Sequence, residues 1–422
     1  MSRARIRLGV LFVTGFLIFP TTGWARPGTG LETKAGRLRL GVELGGRWDS
    51  MAVAGLTGMV GGGATESPGD GIGVVRGRLS LDRAGPRTKL RLTGNLDWNR
   101  YLGFQANTTA FSFIGAQAEA AFDWTPGTHG GLTLTESLRR SDRMANPVFT
   151  VGVLGLSSTT RARAYAKPGG GALELGGGLE TVVDVYGPQV TPGASDNYRD
   201  CGQDPLCNPL LAAAYNAVLN RAFVDAKWRV FPKSGFTAEA SYGRRSYMYG
   251  SFVANTAALR PVRALAGFGT LLSTRTSFAV KAGYGGLAFE DGRAMVHEWL
   301  AQAEAGYQLN EQFSLSGGWV RTNEPVAGAN LYFRDERGYV EASAKLTRVT
   351  LTGQASTDLV AYGGTPRRDR NVAATGSAEW RTTDWFTLTL RGSVTGREIA
   401  GVSPVAAPFT RWDLGLGAVV WF

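Results

Sequence analysis

Few groups in this chain are able to make or break bonds. Its imidazoles are His129 and His297, and its thiols are Cys201 and Cys207. A nucleophilic hydrolase needs a His oriented between an acid and a Ser, Cys or Thr. His129 stands beside Gly130 in a turn-like segment, and His297 stands beside Glu298 with no nucleophile near it in sequence. No phosphate loop, no G-x-S-x-G step and no metal-spaced His pair occurs. The expectation is a protein that is not an enzyme, with no catalytic residue, no metal and no cofactor. The remaining chemistry is charge and hydrogen bonding: 45 Lys and Arg face 34 Asp and Glu.

The elements that carry those charges have period two. Leu38, Leu40, Val42 and Leu44 alternate with Arg37, Arg39, Gly41 and Glu43. Leu90, Leu92, Leu96 and Trp98 alternate with Lys89, Arg91, Asn95 and Asp97. The pattern returns through Phe278–Tyr284, Trp299–Leu309, Phe313–Trp319, Val349–Ala355 and Phe386–Val394. One parity is apolar, with many Ala and Gly; the other is Ser, Thr, Gln or charged. Composition agrees: 59 glycines, 10% aromatic residues and only 19% charged residues point to a large β-protein, and 43% hydrophobic residues exclude a disordered chain. No apolar run reaches the ~20 residues of a spanning helix.

The N-terminus reads as an export signal. Arg3, Arg5 and Arg7 form a positive segment, Leu8–Phe19 an apolar one, and the small Gly23 and Ala25 permit cleavage after Ala25. Losing those three arginines lowers the formal charge from +11 to +8. That excess calls for no nucleic acid, and none is expected as a partner. The domain plan is a signal peptide over 1–25, a short periplasmic segment over 26–36, and one β-domain over 37–422 with a long loop over 187–221.

Short turns are expected at Arg83–Arg87, Trp124–His129, Lys167–Gly170, Phe231–Gly235, Leu272–Arg275, Leu309–Gln312, Leu346–Arg348 and Thr382–Asp384. Longer polar connections lie between them, for example Ser50–Gly71, Tyr186–Arg221 and Asn323–Gly338. Short turns on one side and long loops on the other are the layout of an outer-membrane barrel. The fold class expected is therefore all-β, a transmembrane antiparallel β-barrel of about 18 strands, placed after signal cleavage in a bacterial outer membrane among its lipids. The segment Asn146–Lys167 alternates weakly. Aromatic residues gather near strand ends, among them Trp98, Trp124, Trp228, Trp380 and Trp385, as interfacial girdles do.

Two stretches carry family resemblances. Trp412, Leu414, Leu416, Ala418, Val420 and Phe422 share one parity and end the sequence. This strand resembles the C-terminal assembly signal of bacterial outer-membrane proteins, which implies the barrel-assembly machinery as a partner. The segment Leu38–Ser50, with Glu43 and then Trp48-Asp49-Ser50, resembles the opening strand of porin-like barrels found beside polysaccharide-secretion proteins. Met51 follows where Asn is usual. That resemblance implies export of a secreted polysaccharide, with a periplasmic polysaccharide-export protein as partner.

An 18-strand barrel is wide enough for an aqueous lumen. Its basic lining candidates are Arg37, Arg39, Arg76, Arg78, Lys89, Arg91, Arg161 and Arg163. Carboxylates interleave with them, including Glu43, Asp82, Asp97, Glu174, Glu180 and Asp225. Two outcomes are open: a basic arc that selects anionic or polyhydroxylated cargo, or charges that pair across strands and stabilise the wall. In the loop, an oxidising compartment favours a Cys201–Cys207 disulfide. Leu206, Leu210, Leu211, Tyr215, Val218 and Leu219 are spaced as in a helix. The functions expected are an outer-membrane pore exporting a polysaccharide, a diffusion porin for uptake of small hydrophilic solutes, or a structural or adhesive barrel.

Overall fold

The computed structural model describes residues 30–33, 36–50, 69–103, 112–141, 153–188, 216–248, 258–325, 332–363, 366–401 and 409–422. The strands are β1 (Leu31–Thr33), β2 (Gly36–Asp49), β3 (Asp70–Ala84), β4 (Thr88–Tyr101), β5 (Phe113–Trp124), β6 (Gly130–Ser141), β7 (Val153–Ala166), β8 (Leu173–Pro188), β9 (Ala217–Phe231) and β10 (Ser234–Tyr247). They continue as β11 (Leu259–Leu271), β12 (Thr276–Phe289), β13 (Val296–Gln308), β14 (Phe313–Pro325), β15 (Tyr332–Lys345), β16 (Val349–Tyr362), β17 (Arg368–Arg381), β18 (Phe386–Ala400) and β19 (Phe409–Trp421). Each strand from β2 onward pairs antiparallel with the next, and β19 pairs with β2. Eighteen strands thus close a barrel, as the alternation predicts. The short β1 lies beside the start of β2, with Leu31 opposite Leu38.

Closure depends on residues without bulk. The seam runs from Asp413 opposite Asp49 to Trp421 opposite Gly41, and Gly417 faces Gly45 within it. A Cβ on Gly41 would sit 2.8 Å from the Trp421 ring, and one on Gly417 would sit 2.7 Å from the Glu43 carboxylate. Every expected short turn lies at one rim, between β3 and β4, β5 and β6, and so on to β17 and β18. The start of β2 and the end of β19 share that rim. The turn over Pro168–Gly171 is a 3-10 segment.

The exterior is apolar where bilayer contact demands it. Leu44, Leu96, Leu179, Val224 and Leu416 are all 60% or more exposed. Exposed Trp48, Trp98, Trp299 and Trp412 lie near the long-loop ends of their strands, while exposed Trp124, Trp228, Trp380 and Trp385 lie near the short-turn rim. These are two aromatic girdles around an apolar band. No helix among the described residues is long and apolar enough to cross a membrane.

A carboxylate interrupts the outer face midway along β6. Glu136 shares its register row with Ala120 and Thr160. It accepts hydrogen bonds from Ser158, at 2.6 Å, and from Thr160. Ser158 and Thr160 therefore occupy the parity that elsewhere holds Leu or Val, which explains the weak alternation of β7. A lipid-facing carboxylate is costly unless its oxygens are satisfied, and these two hydroxyls supply that.

Two sequence boundaries shift. The long connection spans 189–216 rather than 187–221, because β8 reaches Pro188 and β9 begins at Ala217. Val218 and Leu219 belong to β9, opposite Val183 and Val182, and not to a helix. Cross-strand pairing fixes these two residues in the sheet, where an apolar spacing alone suits either element. Cys201, Cys207, the rest of that segment and the signal sequence lie outside the described residues.

A charge on the outer face is expected to cost far more than one in the lumen. Leu416→Arg, on the outward row of β19, should destabilise the barrel by about 2–4 kcal/mol, and Thr375→Arg, facing inward on β17, by less than half of that. Urea unfolding in phospholipid vesicles measures both; equal losses would contradict the assignment of faces.

Candidate functional site

The inward parity converges on three groups of polar side chains. The first is centred on Glu43 of β2, which is 4% exposed. Arg76 of β3 donates to it at 3.1 Å, Arg78 donates through Nε at 3.0 Å, and Arg391 of β18 stands 3.3 Å away. Thr389 adds a hydroxyl at 3.3 Å. Arg76 also grips Asp97 of β4, with Nε 2.6 Å from Oδ1. One carboxylate thus draws together guanidinium groups from strands on both sides of the seam. Gly417 is what leaves room for it.

The second group spans β7 to β14. Arg163 donates to Asp225 at 2.9 Å and to Glu174 at 2.8 Å. Arg221 and Arg161 both approach Glu180, and Arg161 also lies 4.1 Å over the Phe223 ring. Lys281 reaches Glu239 at 3.1 Å and Arg263 reaches Glu324 at 2.7 Å. A cavity of about 210 Å³ lies among Arg161, Glu180, Arg221, Glu239 and Arg263.

The third group is neutral. Thr352 and Gln354 of β16, Thr375 and Ser377 of β17, and Thr389 and Ser393 of β18 line a cavity of about 440 Å³ together with the Glu43 group. Thr352 and Ser377 share a hydrogen bond of 2.6 Å, and Ser393 donates to Asp413. This wall offers hydroxyls and amides in register across three strands, with Arg391 set among them.

The predicted lining residues separate along these lines. Arg76, Arg78, Arg161 and Arg163 line the lumen and are paired with carboxylates, so the wall-stabilising outcome holds for them. Arg91 pairs with Asp82 at 3.4 Å near the short-turn rim, where both are largely exposed. Lys89 is exposed at the same rim, opposite Asp123 and Ala84. Arg37 lies at the foot of the barrel and bonds Glu32 of the N-terminal segment at 2.9 Å. Arg39 lines a different cavity, with Arg348, Arg381 and Trp421. No single basic arc forms. In the expected terminal signal, Trp412, Leu414, Leu416 and Phe422 all present exposed side chains on the outer face, and Val420 lies in the same row.

Sequence reading missed several ion pairs at the long-loop rim, two of them on fully buried aspartates. Arg411 donates to the fully buried Asp49 at 2.9 Å, closing the top of the seam. Arg367 donates to the buried Asp369 at 2.8 Å, and the Tyr362 hydroxyl joins it at 3.1 Å. The partners in the first pair are 362 residues apart, a distance at which no local pattern links them. The second pair is two residues apart, but its burial comes from the barrel rim.

A closed antiparallel barrel with an apolar band, two aromatic girdles and a polar interior is a transmembrane β-barrel of the outer-membrane type. No family model matches the sequence, and no curated protein matches it. Solved structures of similar architecture include the siderophore receptor PirA from Pseudomonas aeruginosa, at 7% identity and TM-score 0.41 over 92% of this chain and 80% of that one. The FrpB iron transporter from Neisseria meningitidis aligns at 11% identity and TM-score 0.43 over 93% and 82%. OccAB4 of Acinetobacter baumannii aligns at 8% identity and TM-score 0.42 over 91% and 98%. Likenesses at this level concern general architecture and carry nothing about cargo.

Two outcomes test the polar network. Glu43→Gln leaves Arg76, Arg78 and Arg391 without their shared counter-charge and is expected to cost about 1.5–3 kcal/mol. Arg91→Gln at the exposed rim should cost under about 1 kcal/mol. Equal unfolding midpoints for the two variants would remove Glu43 from its central role. At the long-loop rim, Glu290, just past the end of β12, accepts from Arg244 at 2.9 Å and Arg260 at 3.0 Å. The hydrogen bond from Arg244, ahead of that from Arg260, holds its carboxyl below the ordinary 4.5. A lowered folded value means that the contact contributes above pH 4.5 and is lost as pH falls through the folded value. Carboxyl carbon-13 titration should show the Glu290 midpoint rising toward 4.5 in Arg244→Gln; an unmoved midpoint would take the cause away from Arg244.

Proposed function

We propose that this chain is an outer-membrane channel for export of a secreted polysaccharide, acting passively and without catalysis. The observation that carries this reading is the inner wall of β16–β18. Its threonines, serines and Gln354 supply donors and acceptors at the spacing of a pleated sheet, and Arg391 adds a guanidinium among them. Hydroxyl-rich walls exchange hydrogen bonds with a polyhydroxylated chain at little net cost, so a polymer can move along them without being trapped. In this reading a periplasmic polysaccharide-export protein delivers polymer to the short-turn rim, and the barrel-assembly machinery inserts the chain through its terminal strand.

A second reading is a diffusion porin for uptake of small hydrophilic solutes. It is favoured by the division of the interior into cavities of about 440, 330 and 210 Å³, which suit small solutes. A clean deletion scored separately for surface polysaccharide and for small-solute uptake separates the two. Export predicts loss of surface polymer with normal uptake. Normal polymer with slowed solute uptake would favour the porin, and both normal would favour a structural or adhesive barrel. Chain truncated before Trp412 is expected to fail to reach the outer membrane; folded truncated protein there would count against the assembly signal.

A further inference from the structure

A separate cavity of about 330 Å³ opens at the short-turn rim, bounded by β2, β3 and β16–β19. Its lining includes Arg39, Arg348, Arg381 and Trp421, with Arg78 and the carboxylates Glu379 and Asp384. Unlike Arg76, Arg78, Arg161 and Arg163 deeper in the lumen, Arg39, Arg348 and Arg381 form no ion pair with a carboxylate among the described residues. Arg348 and Arg381 also stand directly across from each other. The Arg381 backbone N–H donates to the Arg348 carbonyl at 2.8 Å, one step beyond the Val349–Trp380 pair. Like charges directly opposite each other on neighbouring strands repel and destabilise a sheet. Several guanidinium groups deeper in the lumen are instead set against carboxylates, as Arg76 is against Asp97 and Glu43. Even with Glu379 and Asp384 in the lining, the cavity holds more cations than carboxylates, and a cationic pair without a direct ion-pair partner at a pore mouth attracts an anion that is not part of the protein.

Trp421 gives that anion a shape. Its ring packs over Gly41, where a side chain would collide with it, and the Arg78 guanidinium lies 5.8 Å from its centroid. Trp421 has inward parity, on the far side of the β19 backbone from the outward Phe422. Aromatic faces stack on the C–H faces of pyranose rings, and guanidinium groups bind carboxylates through paired, directional hydrogen bonds. Thr350 and Thr387, in the same cavity, provide hydroxyls at its side. We propose that this mouth is a capture site for a carboxylated sugar unit. Arg348, Arg381 and Arg39 hold the carboxylate, Trp421 edges the ring, and the hydroxyl wall of β16–β18 begins immediately beyond. The inference rests on the channel reading above and narrows its cargo to an acidic saccharide.

The test uses the mature chain refolded into planar bilayers, with hexagalacturonate or neutral maltohexaose added on the short-turn side. In the unaltered protein hexagalacturonate should block the current at least ~10-fold longer per event than maltohexaose, and the difference should shrink as KCl is raised. R348Q/R381Q should shorten the hexagalacturonate events to the length of those with maltohexaose. It should fold at least as well as the parent, because it removes a like-charge pair. R348K/R381K keeps the charge and should retain part of the longer block. R244Q, at the opposite rim, should change neither sugar. Equal blocking by the two sugars, or hexagalacturonate events unaltered in R348Q/R381Q, would overturn the capture site. Absence of any conductance would instead overturn the channel reading on which it stands.

Discussion

In a hydrocarbon layer no water is available to backbone N–H and C=O groups, so a sheet that crosses it must leave no edge. The pairing of β19 with β2 meets that requirement, and the other strands depend on it. Without the seam, the outer rows of two edge strands would face lipid with unpaired amides. The seam is built from small residues: Gly41 accommodates Trp421, Gly45 faces Gly417, and Gly417 leaves room for Glu43. At one end the buried Asp49–Arg411 pair joins the strands, and at the other the Phe422 amide donates to the Leu40 carbonyl at 2.8 Å. Strands whose Asp49 and Arg411 lie 362 residues apart are thus held by backbone pairing and by charge together.

Closing the barrel also forces the charges inward. A strand with one lipid-facing parity has nowhere else to put arginine, so the lumen receives cations and carboxylates in large numbers. Most neutralise each other across strands, as around Glu43, Glu180 and Asp225. Such pairs are worth little where both partners are well hydrated and more where the wall shields them. The result is a lumen whose charges are largely internal to its wall. Selectivity then belongs to places where the pairing is incomplete, and the short-turn mouth at Arg348 and Arg381 is one of them. The outer face obeys the converse rule. Glu136, a carboxylate midway along an outward row, is held by two neighbouring hydroxyls, the local means of keeping a polar group beside lipid.

Much of the architecture was legible before any coordinates. Alternation assigned the two faces of β2, β4, β12 and β18 correctly because a half-apolar strand has period two and no helix tolerates it. The short turns were readable because a tight reversal needs polar or flexible residues between two alternating runs, as at Leu346–Arg348. Boundaries beside the long connections were not. The ends of β8 and β9 are determined by pairing with each other, and the apolar spacing around Val218 and Leu219 suits a helix as well as a strand. The weak signal in β7 came from a hydrogen bond to a residue on β6, which a reading of β7 alone does not contain.

The sequence by itself determined a barrel of about 18 strands, their inward and outward parity, and the apolar closing strand that ends at Phe422, because these depend on neighbours one or two residues away. Only the tertiary structure decided which charges meet. Arg76 and Arg78 come from β3 and Arg391 from β18, yet all three close on Glu43. Arg37, two residues before Arg39, leaves the lumen for Glu32, while Arg39 joins Arg348 and Arg381 at the mouth. Partners in a barrel are chosen by strand register and by closure, which bring together side chains hundreds of residues apart. Local sequence records that a residue faces inward, and the closed sheet decides what it faces.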